Sequence, residues 1–347
     1  MTRVSILGVT GATLLVAAGV ITAAVLLPAS APAQKPPPAT PEVPPPATPP
    51  ATPPGTSPTT PQAAPPVTPA LPEGYVGSET CKGCHDVQFQ KFSHTKMGRL
   101  FLKAPRNAQE ALACENCHGK GAEHVAQGGG KGVGGLISFA RNDKTPVHKR
   151  NEVCLSCHTK GSHLFWVGSS HESRDVACTG CHKVMEDVSP RKQLVRPTEI
   201  ETCGTCHIDK RAAATKFSRH PMLEGKMSCT SCHNPHGSIT PALLKEPSLN
   251  DTCFNCHAEK RGPFLWGHAP VVESCANCHD PHGSNHDKML KLSRPRLCQQ
   301  CHIETSHPTK PYGRDTSSQK FVMGRSCSSC HVNIHGSNHP SGHAFTR

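Results

Sequence analysis

The hydrophobic positions of this chain of 347 residues are concentrated at its N-terminus. Residues 1–27 contain one cation, Arg3, followed by an almost unbroken apolar run, and residues 31–33 (APA) resemble a small-residue cleavage site. This pattern predicts a secretory signal peptide over residues 1–33 and export from the cytoplasm. Because the apolar run is also long enough to span a bilayer, an uncleaved N-terminal anchor is the alternative.

A proline-rich segment, residues 34–72, separates the apolar run from the rest of the chain. Pro36–Pro72 contain 17 of the 34 prolines, interleaved with Ala, Thr and Ser. Proline removes backbone donors and fixes φ, so this composition predicts a disordered, solvated linker of polyproline II character.

The remaining body, residues 73–347, has too few large apolar residues for a conventional core. Aromatic residues make up 4% of the chain, as two Trp, two Tyr and ten Phe, whereas charged residues make up 18%. No second long hydrophobic run follows the first. Another group must therefore supply most of the buried apolar surface.

The cysteines identify that group. All 20 cysteines fall in ten copies of Cys-x-x-Cys-His. This pentapeptide attaches c-type haem: the two thiols form thioethers with the porphyrin, and the histidine coordinates the iron from one face. Disulfide frameworks, zinc ribbons and thioredoxin-like sites are the alternatives, but none of them requires a histidine after every second cysteine. The motifs predict ten covalently bound haem c groups, at sites that we number 1 to 10 in chain order.

The attachment cysteines predicted for sites 1 to 10 are Cys81, Cys84, Cys114, Cys117, Cys154, Cys157, Cys178, Cys181, Cys203, Cys206, Cys229, Cys232, Cys253, Cys256, Cys275, Cys278, Cys298, Cys301, Cys327 and Cys330. The predicted proximal iron ligands are His85, His118, His158, His182, His207, His233, His257, His279, His302 and His331.

Ten haems in a body of this size predict the fold class of a multihaem cytochrome c. We expect an elongated molecule with short helices and loops wrapped around a chain of haems and with little or no sheet. Each double thioether constrains the chain much as a crosslink does. Without haem we expect the polypeptide not to fold.

The formal net charge of +12 does not indicate a nucleic-acid partner. Each haem carries two propionates, and a ferric centre with two neutral ligands adds about one positive charge, so ten haems contribute about −10 when oxidised. Lys and Arg therefore serve as partners for propionates, and the interleaved aromatic residues that accompany nucleic-acid binding are absent.

A second axial ligand for each iron is predicted among the 14 histidines outside the motifs. Four follow a motif closely, in contexts such as CHNPHG, where the chain places them to serve a neighbouring haem; six precede a motif. Four others, His163, His286, His339 and His343, are interpreted as surface or second-shell residues. Methionine is also a competent ligand, and Met185 in CHKVMED is an alternative that we rank below histidine. The predicted distal ligands are His94, His124, His148, His171, His220, His236, His268, His282, His307 and His335.

The spacing of the motifs predicts an internal duplication of the body. Motifs four apart are offset by 99, 97, 95 and 98 residues, and Trp166 and Trp266 fall in equivalent gaps. Such recurrence is typical of a repeated unit arranged along one axis.

Several segments resemble the DmsE/MtrA-type periplasmic decahaem cytochromes: GYVGSETCKGCH, FSHTKM, NDKTPVHKRNEVCLSCH, HPMLEGKMSCTSCHNPHG and CHVNIHGSNHPSG. The resemblance covers residues 73–347 and leaves out the proline-rich segment. It implies a bis-histidine haem wire that inserts into an outer-membrane β-barrel porin. It also implies a periplasmic or inner-membrane cytochrome as electron donor, and an extracellular multihaem cytochrome as a further partner.

The residues themselves indicate electron transfer rather than catalysis. Two imidazoles on each iron leave no open position for a substrate, and histidine pairs favour low potentials. One alternative is a soluble or inner-membrane-tethered periplasmic shuttle with the same ligands. The other is a multihaem reductase, which needs a haem with a vacant face and is often marked by a variant motif; none of the ten motifs is a variant.

Overall fold

The computed structural model describes residues 71–302 and 326–346. They belong to the larger of two units, Thr68–Arg347. The predicted signal peptide, nearly all of the predicted linker and the predicted ligand His307 lie outside the described residues.

Short helices make up the regular structure of the described chain. The longest, Asp86–His94 and Val147–Leu155, have nine residues each. No helix within residues 71–302 or 326–346 is both long and apolar enough to cross a membrane. The α-helices are α1 Ser78–Lys82, α2 Asp86–His94, α3 Lys96–Lys103, α4 Ala108–Ala111, α5 Cys114–His118, α6 Ala122–Ala126, α7 Val147–Leu155, α8 Cys178–Cys181, α9 Glu199–Cys203, α10 Ile208–Ala213, α11 Leu249–Phe254 and α12 Ala269–Glu273.

Single 3₁₀ turns fill many of the gaps between these helices. They span Gly161–His163, Glu172–Arg174, Cys229–Ser231, Pro241–Leu243, Ala258–Lys260, Cys275–Asn277, Asp287–Met289, Cys298–Gln300, Cys327–Ser329 and Gly342–Ala344. The strand-like pairings given for the described residues are five isolated bridges: His182 with Leu194, Ser218 with Ser284, His233 with Leu244, Trp266 with Ser337 and His279 with Leu290. The predicted fold class of short helices and loops without a sheet is confirmed.

Each Cys-x-x-Cys-His motif forms one helical turn. In nine motifs the N–H of the histidine donates to the carbonyl of the first cysteine at 2.9–3.0 Å. The remaining one, motif 2, coincides with helix α5. Positions i, i+3 and i+4 share one face of a helix. The backbone therefore presents two thiols and one imidazole on the same side.

The hydrophobic core is small, as the composition predicts. Eight hydrophobic residues are buried in the described part of the chain. Three of them, Phe92, Phe101 and Ala113, form a cluster where α2 packs against α3. Thr95 caps α3 by accepting a hydrogen bond from the N–H of Gly98 at 2.9 Å. Met97, Leu100, Leu102 and Val184 pack against this cluster.

Polar side chains join motifs in pairs. Asn151, on α7 of motif 3, accepts from the N–H of Cys178 at 2.9 Å, and its amide donates to the carbonyl of Val176. Asn250 on α11 makes the equivalent contact with Cys275 at 2.8 Å. In the same way Ser78 accepts from Cys114 N–H, and Glu199 accepts from Thr230 N–H. Sites 1 and 2, 3 and 4, 5 and 6, and 7 and 8 are thereby joined.

A second kind of contact joins the pairs to one another, and we call it a crossing. A segment that precedes a motif meets the His-Gly dipeptide that follows a later motif. The three crossings bring residues 162–171 to 234–237, residues 213–220 to 281–284, and residues 264–268 to 334–338. The structural repeat thus comprises two motifs, which is half of the four-motif offset seen in the sequence.

Glycine is required in these crossings because the two backbones touch. Gly237 has a φ of 117°, and a Cβ atom there would overlap the carbonyl oxygen of Phe165. Gly283 has a φ of 130° and would meet the carbonyl oxygen of Ala213 in the same way. Both glycines combine a backbone conformation that other residues rarely adopt with the absence of space for a side chain.

Replacing this glycine gives a test of the crossing. Gly237→Ala is expected to cost about 3 kcal/mol of unfolding free energy, because it adds steric overlap to the strain of a positive φ. Gly225→Ala is the matched control: its φ is 70°, but nothing lies within 4 Å of the added atom, so about 1 kcal/mol is expected. Chemical denaturation followed by far-UV circular dichroism measures both. Equal losses of stability would contradict the close approach.

Candidate haem-binding sites

The cysteines lie in an arrangement that follows the chain. None of the 20 cysteines forms a disulfide. First cysteines of paired motifs are neighbours: Cys81 lies beside Cys114, and Cys154 lies beside Cys178. The same holds for Cys203 with Cys229, Cys253 with Cys275, and Cys298 with Cys327.

Second cysteines make the complementary contacts between pairs. Cys181 lies near Cys206, Cys232 near Cys256, and Cys278 near Cys301. Cys117 of site 2 faces both cysteines of site 3, and burial raises the pKa of its thiol to about 11. Consecutive motifs from 1 to 10 are thereby neighbours in space as well as in sequence.

Seven predicted distal histidines face a motif histidine across a constant gap. Their ring centroids lie 6.0–6.4 Å apart. An imidazole nitrogen lies about 2 Å from a metal that it coordinates, and about 1 Å from its ring centre, so two rings on one metal are separated by about 6 Å. The spacing fits one iron between each pair. The pairs are His85–His124, His182–His236, His207–His171, His233–His282, His257–His220, His279–His335 and His302–His268.

The crossings explain which histidines meet. His236 follows motif 6 but faces His182 of site 4, and His282 follows motif 8 but faces His233 of site 6. In the opposite direction His171 precedes motif 4 and faces His207 of site 5. Each crossing therefore delivers two imidazoles, one to an even site and one to the next odd site.

The remaining predicted ligands are arranged differently. Neither His94 nor His148 has a ring contact with a motif histidine in the part of the chain that the structure describes. At site 2 the ring of His118 lies edge-on to Phe139, with centroids 5.4 Å apart. Met185, the alternative ligand, is 36% exposed.

His163, which the sequence analysis sets aside as a surface or second-shell residue, lies between two sites. Its ring centroid is 5.5 Å from that of His158 at site 3 and 4.1 Å from that of His236 at site 4. Burial and the neighbouring histidines lower the pKa of His236 to about 4. The imidazole is therefore neutral, which is the form that coordinates a metal.

One imidazole of most sites is fixed by a backbone carbonyl. At the even sites it is the motif histidine, whose Nδ1 donates to Ile137, Lys192, Ala242, Lys288 or Ala344. At sites 1, 5, 7 and 9 it is the facing histidine, whose Nδ1 donates to Val133, Pro235, Pro281 or Ile334 at 2.7–3.0 Å. Because a carbonyl can only accept, Nδ1 carries the proton and Nε2 is free to coordinate iron.

These carbonyl positions are functional residues that the sequence analysis missed. A faint signal exists: Leu194, Leu244 and Leu290 stand eight or nine residues before the next motif, and each lies two residues after the residue whose carbonyl holds Nδ1 at sites 4, 6 and 8. Each of these leucines forms an isolated bridge with the motif histidine of its site.

Comparison with known proteins agrees with this geometry. A family model for a doubled CXXCH motif matches residues 220–262 and 268–307, and one for NrfB-like c-type cytochromes matches residues 114–206. Both doubled-motif matches begin at a crossing histidine and include two motifs. The multihaem cytochrome MtrA of Shewanella baltica is 42% identical over 277 residues, which cover 78% of this chain and 81% of that protein.

The chain belongs to the MtrA family of multihaem cytochromes. Its Cys-x-x-Cys-His motifs hold covalently bound haem c, and its role is electron transfer. A more distant relative is the C-type polyhaem cytochrome OmcB of Geobacter sulfurreducens, 21% identical over 216 residues, or 52% of this chain and 25% of that protein. The resemblance that the sequence motifs indicate is confirmed.

Proposed function

We propose that this MtrA-family cytochrome carries ten haem c groups and conducts electrons along them in the order of the motifs. The constant 6.0–6.4 Å separation of seven histidine pairs supports two axial imidazoles per iron at those sites. The neighbouring cysteines of consecutive motifs support a chain in sequence order. His94, His148 and His307 remain predicted distal ligands without an assigned site, and we propose that they serve among sites 2, 3 and 10, with His163 as a competing ligand at site 3.

Such sites favour electron transfer over catalysis. Haem iron with two imidazole ligands supplies reversible one-electron chemistry and offers no open position to a substrate. The protein residues hold both rings at a fixed separation, and the carbonyl acceptors prevent the rings from rotating. We therefore propose an electron carrier rather than an enzyme, and a substantial high-spin signal in the oxidised protein would favour a reductase instead.

We further propose that the protein is periplasmic and inserts into an outer-membrane β-barrel porin. The N-terminal apolar run supports export. Charged residues make up 18% of the whole chain, and no long apolar run follows the N-terminal one. The body therefore requires a protein sheath to cross the hydrocarbon layer of about 30 Å. A periplasmic or inner-membrane cytochrome serves as donor, and an extracellular multihaem cytochrome, a metal or ferrous iron serves at the other end.

Reconstitution tests this assignment. The holoprotein is purified with its membrane partner and inserted into liposomes that enclose a dye reducible only by electron transfer across the wall. We expect external reductant to bleach the dye when both proteins are present, and the holoprotein alone to give no transfer. Recovery of the cytochrome entirely in the soluble periplasmic extract, with no transfer across the wall, would overturn the conduit and favour the shuttle.

A further inference from the structure

Three loops of the same strained shape follow motifs 4, 6 and 8. Among the described residues, nine that are not glycine have a positive φ, and six of these fall into three consecutive pairs. The pairs are Lys192–Gln193, Ala242–Leu243 and Lys288–Met289, with φ between 47° and 59°. We call them the left-handed brackets. Paired residues in this conformation are unfavourable unless the surroundings enforce it, and such strain concentrates at functional positions.

Both carbonyls of each bracket bind the motif beside it. In the bracket of site 6, the carbonyl of Ala242 accepts from Nδ1 of His233 at 2.7 Å. The carbonyl of Leu243 accepts from the N–H of Asn234, the residue after that histidine, at 2.8 Å. The brackets of sites 4 and 8 repeat both contacts at 2.7–2.8 Å.

The brackets are also tied to the motif beyond the histidine. The second residue after each bracket donates its N–H to the carbonyl of the second cysteine of the motif: Val195 to Cys181 at 2.9 Å and Lys245 to Cys232 at 3.0 Å. Lys291 does the same with Cys278 at 2.9 Å. Because the loop is fixed at several points, it cannot relax its conformation while the carbonyl stays against the imidazole.

A carbonyl in this place changes the electronic character of the imidazole. A hydrogen bond from Nδ1–H to a carbonyl raises the basicity of Nε2 and fixes the ring orientation. A more basic axial ligand stabilises oxidised iron relative to reduced iron, so the reduction potential falls. We propose that the left-handed brackets are positioning elements that lower the reduction potentials of sites 4, 6 and 8. This inference rests on the iron ligation proposed above.

The bracket of site 6 contacts a single site, which distinguishes it from the crossings. The carbonyl that fixes His171 belongs to Pro235, and the next residue, His236, faces the motif histidine of another site. A change there would disturb two neighbouring sites at once. The backbone hydrogen bonds of Ala242 and Leu243 stay within their own motif and loop, so this pair offers a way to set one potential without moving the ligands of the next site.

Substitution of Ala242 tests the proposal in the holoprotein. Ala242→Pro fixes φ near −65°, which is incompatible with the observed 57°, and therefore withdraws the carbonyl from His233. Ala242→Gly is the matched control, because glycine adopts the left-handed conformation without strain. Ala242→Val is a milder second variant, since a β-branched residue disfavours positive φ.

The measurement is a spectroelectrochemical redox titration, with haem content determined for each variant. We expect the proline and valine variants to retain ten haems while about one tenth of the absorbance change moves to higher potential. The glycine variant is expected to overlay the parent. If the proline variant does not attach all its haems, the valine variant is judged by the same criterion.

Two results would overturn the inference, and they differ from failure of the proposed function. An unchanged titration in the proline and valine variants, or an equal shift in the glycine variant, would contradict the role of the carbonyl. A parent protein with high-spin haem at site 6 in its electron paramagnetic resonance spectrum would instead contradict the ligation on which the inference depends.

Discussion

The chain made in cells that lack the haem-attachment machinery is expected to remain unfolded. Eight hydrophobic residues are buried in the described part of the chain, and they do not form a continuous core. Each ordered residue costs about 1–2 kcal/mol in backbone entropy, and this protein-only core is too small to offset that cost. Large hydrophobic residues such as Val167, Phe217 and Ile239 are 78–82% exposed.

The measurement compares the full chain with and without attached haem by far-UV circular dichroism and limited proteolysis. The holoprotein is expected to show a cooperative thermal transition and protected fragments from the body. The haem-free chain is expected to show neither. A cooperative transition in the haem-free chain would mean that residues outside the haem contacts stabilise the fold.

The proximal half of each site could be predicted from the sequence, because it is local. Two cysteines and a histidine within one helical turn need no tertiary information, and the same spacing recurs in all ten motifs. The absence of a sheet in the described residues follows from the same cause: the motifs, prolines and glycines interrupt the chain before long elements can form.

The facing half of each site depends on contacts between distant segments. His171 and Pro235 are 64 residues apart, and His220 and Pro281 are 61 apart. The sequence analysis predicts these histidines as ligands but has no means to assign them to sites. It selected His148 because it precedes a motif and set His163 aside, whereas the structure brings His163 against His158.

The left-handed brackets are also invisible to pattern analysis. Ala242 and Leu243 are ordinary residues with no turn signature, and their positive φ arises from the hydrogen bonds that hold them to His233 and Asn234. Tertiary contacts thus impose a conformation against local preference, which is expected at a site with a function to fulfil.

Removal of one facing histidine is expected to convert one haem to the high-spin state. His282 faces His233 at 6.1 Å with an interplanar angle of 11°. His282→Ala leaves that iron with a single protein imidazole, while the thioethers still hold the haem. We expect unchanged haem content, and about one tenth of the iron in a high-spin signal by electron paramagnetic resonance.

The equivalent change at site 4 is expected to have a smaller effect. His236 faces His182 at 6.0 Å, but the ring of His163 lies 4.1 Å from that of His236. When His236→Ala removes the first imidazole, His163 is close enough to replace it, so less of this haem should become high-spin. The double variant His163→Ala with His236→Ala removes both rings and should give the full one-tenth signal from site 4, with a second tenth from site 3 if His163 is the ligand there.

These variants also report on site 3, because His163 lies 5.5 Å from His158. His163→Ala alone is expected to produce high-spin iron if this residue is the ligand there, and no signal if His148 fulfils that role. Entirely low-spin spectra in both the His282→Ala variant and the double variant would contradict the assignment of the histidine pairs to iron. These spectra thus test the histidine pairs brought together by the crossings separately from the choice between His148 and His163 at site 3.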